Sequence, residues 1–378
     1  MPFSRSFQQC AIALAPDALI RWGIRRLLRQ KLNALACRQG HPALQTERQQ
    51  AALQAFVEAL RQAPIALHTD TANLQHYALP PAFFGHVLGP RRKYSSAYWT
   101  PTTRTLAEAE DTMLALTAQR AQLLDGQTIL DLGCGWGSLT LWLAERFPKA
   151  QIWAVSNAQP QIDWIQAQCD ARGYHHVHLQ RMNVATDNPE AFSHRFDRIV
   201  SVEMMEHLKN YGAFFDKVQH WLRPEGMFFV HIFTHRLFAY HYDEHDPNDW
   251  LTPHFFAGGT MPSADLLHYF CAPLVLDAQW SVSGQHYEKT ANAWLANQDA
   301  HRREIWPILE ATYGPAQAQQ WWHYWRVFWM ACAELWGYDQ GRAWGVTHYR
   351  FFKPSVVPSS GGLWPGQPAQ QHHPTRPT

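Results

Sequence analysis

Two groups of residues in this chain have types and spacings that can do chemistry. The first is Asp131-Leu132-Gly133-Cys134-Gly135-Trp136-Gly137, which directly follows an apolar run and directly precedes a helical pattern. Glycines in that setting let the backbone turn tightly and approach a ligand with no Cβ in the way. The spacing is GxGxG, not the GxGxxG of dinucleotide binders. The next apolar run ends on Ser156 and Asn157 rather than on the acidic residue that a nicotinamide cofactor's ribose would want. Asp131, just before the loop, suits the cationic amino-acid end of S-adenosylmethionine better than a pyrophosphate. The residues therefore point to that co-substrate, with a ligand-free turn as the bland alternative. Asn183, ending the third apolar run, is placed to accept from an adenine amino group; a turn-forming Asn is the competing reading.

The second group, Glu203, Glu206 and His207, follows the fourth apolar run. If the chain turns into a helix there, the i, i+3, i+4 spacing puts all three side chains on one side. A carboxylate beside an imidazole can take a proton from a reacting group, directly or through water. The alternative is that one carboxylate caps a helix and His207 packs under it. His231, His235, His241 and His245 match no zinc spacing, and in a chain with 22 His they read as packing or surface residues, so no metal is expected.

The elements that must hold these groups come next. ILDLG (129–133), IWAVSN (152–157), VHLQRMN (177–183), RIVSVE (198–203) and MFFVHIF (227–233) read as strands, with helices such as 139–147 and 211–222 between them. Strands alternating with helices predict βαβ units, a parallel sheet covered on both faces, and a ligand site at the carboxyl ends of the strands. Leu19, Ile20, Ile24, Leu27, Leu28, Leu32 and Leu35 follow helical spacing among Arg21, Arg25, Arg29 and Lys31. That basic amphipathic helix reads as packing on its own domain, or else as a contact with a lipid surface. A second helix runs through Leu53, Phe56, Val57 and Leu60, helical stretches run from Ala291 to Trp336, and THYRFF (347–352) is a last strand.

The chain has 378 residues, 32 Lys plus Arg against 31 Asp plus Glu, 46% hydrophobic and 17% charged residues. A near-zero net charge gives no field for sequence-independent nucleic-acid binding. The composition excludes a disordered chain, and no run approaches the ~18 apolar residues of a membrane span. Six cysteines without a CxxC pair suggest neither a zinc knuckle nor a disulfide framework. The short apolar run Ala11 to Ala15 is a poor signal segment, so a cytoplasmic protein is expected. The 18 Trp demand a large core or an apolar pocket, and the stripe Trp321, Trp322, Trp325, Phe328, Trp329, Trp336 is first of all core, with some of it available to wall a pocket.

KYSSAYW (93–99), ILDLGCGWGSL (129–139), DRIVSVEMMEHLKNY (197–211), GGTMPS (258–263) and HYEKT (286–290) resemble the cyclopropane-fatty-acid synthase superfamily of S-adenosylmethionine-dependent methyltransferases. HIFTH (231–235) and YWRVFWMACAELWGY (324–338) resemble its coclaurine N-methyltransferase branch. The resemblance implies a class I, Rossmann-like fold with a mainly parallel seven-stranded sheet. The chain then divides into an N-terminal helical cap (1–90) and a catalytic domain (91–353) with a helical insertion (236–345), while the tail (354–378), outside the resemblance and rich in Pro, Gly, Ser and Gln, is expected to be disordered from its composition. It implies that Tyr94 and Ser95 close over the co-substrate, that Gly133, Gly135 and Gly137 form its loop, that Ser156, Asn157 and Gln161 face its ribose and amino-acid parts, and that Asn183 replaces a more usual acid at the adenine. The expected activity is N-methylation of a small aromatic or cyclic amine, with His207 and Glu206 as the base and Glu203 orienting the substrate ammonium or assisting the base. The alternative is methyl transfer to an unsaturated acyl chain at a membrane surface. There Glu206, His231, Tyr287 and Ser96, the last through its backbone, would hold a proton-accepting bicarbonate. Glu203 stands where the cyclopropane synthases carry a small neutral residue, which favours the amine.

Overall fold

The computed structural model describes residues 15–37, 45–66, 79–242, 252–255 and 258–355. Cys10, most of the run Ala11 to Ala15, His245 and residues 356–378 of the expected tail lie outside the described residues.

Five apolar runs form parallel strands: β1 (Thr128–Leu132), β2 (Gln151–Ser156), β3 (Val177–Arg181), β4 (Phe196–Val202) and β5 (Leu222–His235). The central ones are buried on both faces, which is why they read as continuous hydrophobic stretches rather than alternations. β5 is longer than the expected 227–233 because it begins directly at the end of the preceding helix. A two-stranded ribbon joins β6 (Tyr240–His241) to β7 (Thr260–Met261). β8 (Val275–Ser283) and β9 (Trp344–Phe352) complete a seven-stranded sheet of order β3-β2-β1-β4-β5-β9-β8, in which β9 runs antiparallel to both its neighbours.

The longer helices among the described residues are α1 (Asp17–Cys37), α2 (Gln45–Gln62), α3 (Pro81–Val87), α4 (Leu106–Arg120), α5 (Ser138–Arg146), α6 (Gln159–Arg172) and α7 (Tyr211–Trp221), then α8 (Gly284–Ala300), α9 (Arg302–Tyr313) and α10 (Pro315–Gly337). Ile20, Ile24, Leu28 and Leu32 of α1 pack on the core cluster that holds the tryptophans of α10, while Arg21 and Arg25 pair with Glu334 at 2.9 and 2.7 Å. The helix thus covers its own domain, although Leu19, Trp22 and Leu27 remain exposed. No helix among the described residues is long and apolar enough to cross a membrane.

Two expectations change. β8, inside the stretch 236–345, was not foreseen: as an edge strand it is exposed at alternate positions, so it lacks the apolar run that betrays a buried strand. Residues 203–207 are not α-helical either. Glu203 has φ +46° and only Met205–His207 form a single 3-10 turn, with the helix delayed to Tyr211, where Asn210 caps it by accepting from the Ala213 N–H.

Candidate active site

The strand order reverses between β1 and β4, so the loops leaving these two strands lie side by side, the place where open α/β sheets bind ligands. Gly133, at φ +87°, makes the contact: a Cβ there would stand 2.7 Å from Met204 Cγ. Two positions on, a Cβ on Gly135 would meet nothing within 4 Å, so the middle of the loop faces open space, while Gly137 ends the loop as the N-cap of α5. Across β2, Ser156 Oγ donates to Gln161 Oε1 at 2.7 Å, and the buried Gln161 Nε2 has no partner among the described residues. An open glycine cradle beside an orphaned amide donor fits a polar ligand such as S-adenosylmethionine.

The other residues read as co-substrate contacts fall at the same edge. Asp131 is buried and accepts at Oδ2 from Thr140 Oγ1 at 2.6 Å; desolvation pushes its carboxyl up to about 6. Asn157 offers its carbonyl to Arg181 Nε at 3.2 Å. Asn183 Oδ1 accepts from the Ala185 N–H at 3.0 Å, the turn-forming role of an Asn, which leaves one lone pair on that oxygen. Tyr94 packs between the rings of Phe84, Trp294 and Trp329. Buried Ser95 takes a short hydrogen bond from Lys93 Nζ. Burial pulls the Lys93 ammonium down to about 8 against the carboxylates of Glu203 and Glu110, and Glu110 in turn accepts the N–H groups of Gly89, Arg91 and Lys93.

Glu203 is the hub of the site. Its Oε1 accepts from the Ser96 backbone N–H at 2.9 Å and from His231 Nε2 at 3.1 Å, and its Oε2 accepts from the Tyr287 hydroxyl at 2.6 Å. Three donors come from the segment before α4, from β5 and from α8, so residues almost 200 positions apart in sequence converge on one carboxylate. Burial raises its pKa, while Lys93, Tyr287 and Ser96 pull the other way. The left-handed backbone at 203 turns the side chain back toward its own strand end, where the Glu203 N–H meets the His231 carbonyl at 2.8 Å. Tyr287 is fixed by stacking on Trp336, with ring centroids 4.7 Å apart and planes within 1°.

Glu206 has the opposite surroundings. It is 2% exposed, its Oε2 makes no hydrogen bond among the described residues, and burial plus the neighbouring Glu203 charge push its pKa far above the carboxylate range. His207 is half-buried in the same turn. Glu206 and His207 thus share one turn beside Glu203, which is itself hydrogen-bonded to Ser96, His231 and Tyr287. Two other described histidines of the expected non-metal group have structural partners: His235 Nδ1 accepts the N–H groups of Leu237 and Phe238, and His241 Nδ1 lies 3.0 Å from Lys209 Nζ. Among the described residues no three side chains are grouped to hold a metal.

Sequence reasoning passed over Lys93, Arg120 and His348. Lys93 sits inside a motif that was noted for its tyrosine and serines. His348 had a weak signal, since it stands opposite His231 in the β5–β9 register, and that pairing was open only to someone who had already aligned the two strands.

The fold and this loop define a methyltransferase of the class I, Rossmann-like kind. Residues 67–339 match the family described as mycolic acid cyclopropane synthetase, and the chain belongs to that family. It is 35% identical over 345 residues to (S)-coclaurine N-methyltransferase of Papaver somniferum, covering 90% of this chain and 96% of that one. It is 34% identical over 310 residues to pavine N-methyltransferase of Thalictrum flavum subsp. glaucum, covering 81% and 86%. The crystal structure of coclaurine N-methyltransferase bound to N-methylheliamine and SAH superposes with a TM-score of 0.87 at 32% identity, over 93% of this chain and all of that one.

Proposed function

We propose that the protein transfers a methyl group from S-adenosylmethionine to the nitrogen of a small cyclic or aromatic amine, as the names of its N-methyltransferase relatives suggest. The bound co-substrate supplies a methyl group on a sulfonium. Gly133, Gly135 and Gly137, with Ser156, Gln161 and Asn183, would hold it, and Tyr94 and Ser95 would close over it.

The observation that carries this reading is the setting of Glu203. Ser96, His231 and Tyr287 are three of the four groups that the family resemblance assigns to bicarbonate, and all three donate instead to this side chain. Burial raises the Glu203 pKa, but the three hydrogen bonds and Lys93 oppose that rise and favour its charged form, which suits an ammonium that is already charged when it binds. Glu206, whose Oε2 makes no hydrogen bond among the described residues and which faces the Glu203 charge, has its pKa pushed up further and so has the greater proton affinity of the two. Carboxyls whose surroundings push their pKa values apart divide the work of holding charge and taking protons.

An alkylamine has a pKa of roughly 10 and arrives as R2NH2+. Glu203 and Glu206 share one proton and keep one negative charge. The ammonium binds against Glu203, one of its protons passes to Glu206, and the proton that Glu206 held leaves through His207. The freed lone pair forms the N–CH3 bond as the S–CH3 bond breaks. The tertiary ammonium departs with its remaining proton, so one proton is released per methyl transferred. Positioning at near-attack distance does the rest, with no metal or covalent intermediate required.

The test is transfer of labelled methyl to a panel of cyclic and aromatic amines and, separately, to phospholipid vesicles. Label on amine nitrogen without dependence on bicarbonate is expected. Label appearing only in the lipid would sink the proposal.

A further inference from the structure

Behind Glu203 runs a chain of hydrogen bonds that the reaction as written does not use. Arg120, the last residue of α4, places Nη1 2.8 Å from His348 Nδ1. His348 Nε2 lies 2.9 Å from His231 Nδ1, and His231 Nε2 lies 3.1 Å from Glu203 Oε1. The two imidazoles face each other across the β5–β9 pairing, are 1% and 0% exposed, and have centroids 4.6 Å apart. Arg120 is itself held, with its guanidinium 5.0 Å over the Trp280 ring and its carbonyl accepting from Arg350 at 2.8 Å.

The polarity of this chain has one solution. A guanidinium only donates, so His348 Nδ1 must accept. A neutral imidazole carries one hydrogen, which on His348 must then sit on Nε2 and be donated to His231 Nδ1. By the same step His231 carries its hydrogen on Nε2, aimed at Glu203. Both rings are neutral: burial and the positive charges of Lys93 and Arg120 pull them well below 6.5.

We propose that Arg120 and His348 are positioning residues for methyl transfer: Arg120 fixes, through His348, the tautomer of His231, so that an N–H rather than a lone pair faces Glu203. The proposal rests on Glu203 being the carboxylate that holds the substrate nitrogen. With the opposite tautomer, a lone pair would face that carboxylate at hydrogen-bond distance. Glu203 would then have to take up a proton or swing away, and either change removes the anchor for an ammonium.

Two measurements test this, one of them independent of activity. In full-length protein labelled with 15N-histidine, two-bond 1H–15N correlation spectra distinguish a protonated ring nitrogen from a bare one. H231Q and H348Q variants identify the two rings by loss of their signals. Both rings should be protonated at Nε2 and bare at Nδ1; a hydrogen on Nδ1 of either would overturn the proposal. Kinetically, R120M removes the donor at the head of the chain, and the loss of one hydrogen bond to a charged group should lower kcat/KM for an amine about 10- to 150-fold. R120K, which keeps one donor, should recover to within about threefold of wild type by the same reasoning, and affinity for S-adenosylhomocysteine should not change in either variant. An R120M protein as active as wild type would overturn the proposal. Nε2-protonated rings in a protein that methylates no amine would refute the proposed function and still support the tautomer assignment, so the two failures are distinguishable.

Discussion

Replacing Glu203 by Gln tests the centre of the reasoning with the smallest change of shape. In Glu203→Gln the Oε1 position still accepts from the Ser96 N–H and His231 Nε2–H, while the new amide donates toward Tyr287, whose hydroxyl can rotate to accept. Two opposing effects act on stability. Three hydrogen bonds lose their charge assistance, and a side chain only 6% exposed no longer has to be buried as an ion. These offset each other, so the melting temperature should move by a few degrees at most. Substrate binding has no such offset. Removing one partner of a buried ion pair costs about 3–5 kcal/mol, so kcat/KM for the amine should fall roughly 150- to 5,000-fold. The assay is transfer of labelled methyl across a range of amine concentrations, alongside thermal unfolding and titration with S-adenosylhomocysteine. A folded Glu203→Gln protein that binds the co-substrate product normally and keeps kcat/KM within twofold of wild type would refute the assignment of Glu203 to the substrate cation.

Three further outcomes are expected. Tyr287→Phe keeps the ring stacked on Trp336 but deletes the 2.6 Å hydrogen bond to Glu203 Oε2, so kcat/KM should fall about 10- to 150-fold; an unchanged rate would mean the hydroxyl does not support the carboxylate. Gly135→Ala and Gly137→Ala should part company. Both carry the strain of a positive φ, but the first, at φ +52°, places its methyl in open space and should add to that strain mainly a weaker S-adenosylhomocysteine binding, by roughly tenfold or more in calorimetric titration. The second drives a Cβ to within 2.7 Å of Ile165 Cγ1 at φ +79° and should mainly lower the melting temperature, and equal behaviour of the two variants would contradict this picture. Finally, His231 and His348 have folded pKa values well below their unfolded value of 6.5. Their contribution to stability is complete above about 6.5 and is lost as pH falls toward the folded values, at about 2.7 kcal/mol per pH unit for the pair. In urea unfolding below pH 6, a folded His348→Gln protein should show a slope shallower by about 1.4 kcal/mol per unit; an identical slope would mean the imidazole is not held neutral.

Much of the fold was legible because buried parallel strands must be apolar on both faces and must alternate with helices, a pattern that survives in one dimension. β1 to β5 and β9 were all readable in this way. β8 was not, since an edge strand exposed at every other residue keeps too few apolar side chains to stand out. The site was legible where it is local. The glycines of 133–137 have left-handed backbones that few other residues tolerate, so their function is written in their type. Glu203, Glu206 and His207 were legible as an acid/base group, but the backbone turn at Glu203 that separates their roles has no signature in the sequence.

The sequence by itself therefore determined the chemistry that is available: a glycine loop at a strand end, carboxylates and imidazoles after the next strand, and a surplus of tryptophan. Only the tertiary structure decided which of these groups act together. Ser96, Glu203, His231, Tyr287 and His348 come from five separate parts of the chain, and their hydrogen bonds depend on strand register and on α8 crossing over the sheet edge. Whether a buried carboxyl holds a charge or a proton depends on how many donors reach it, and donors that arrive from 84 and 107 residues away cannot be counted from spacing.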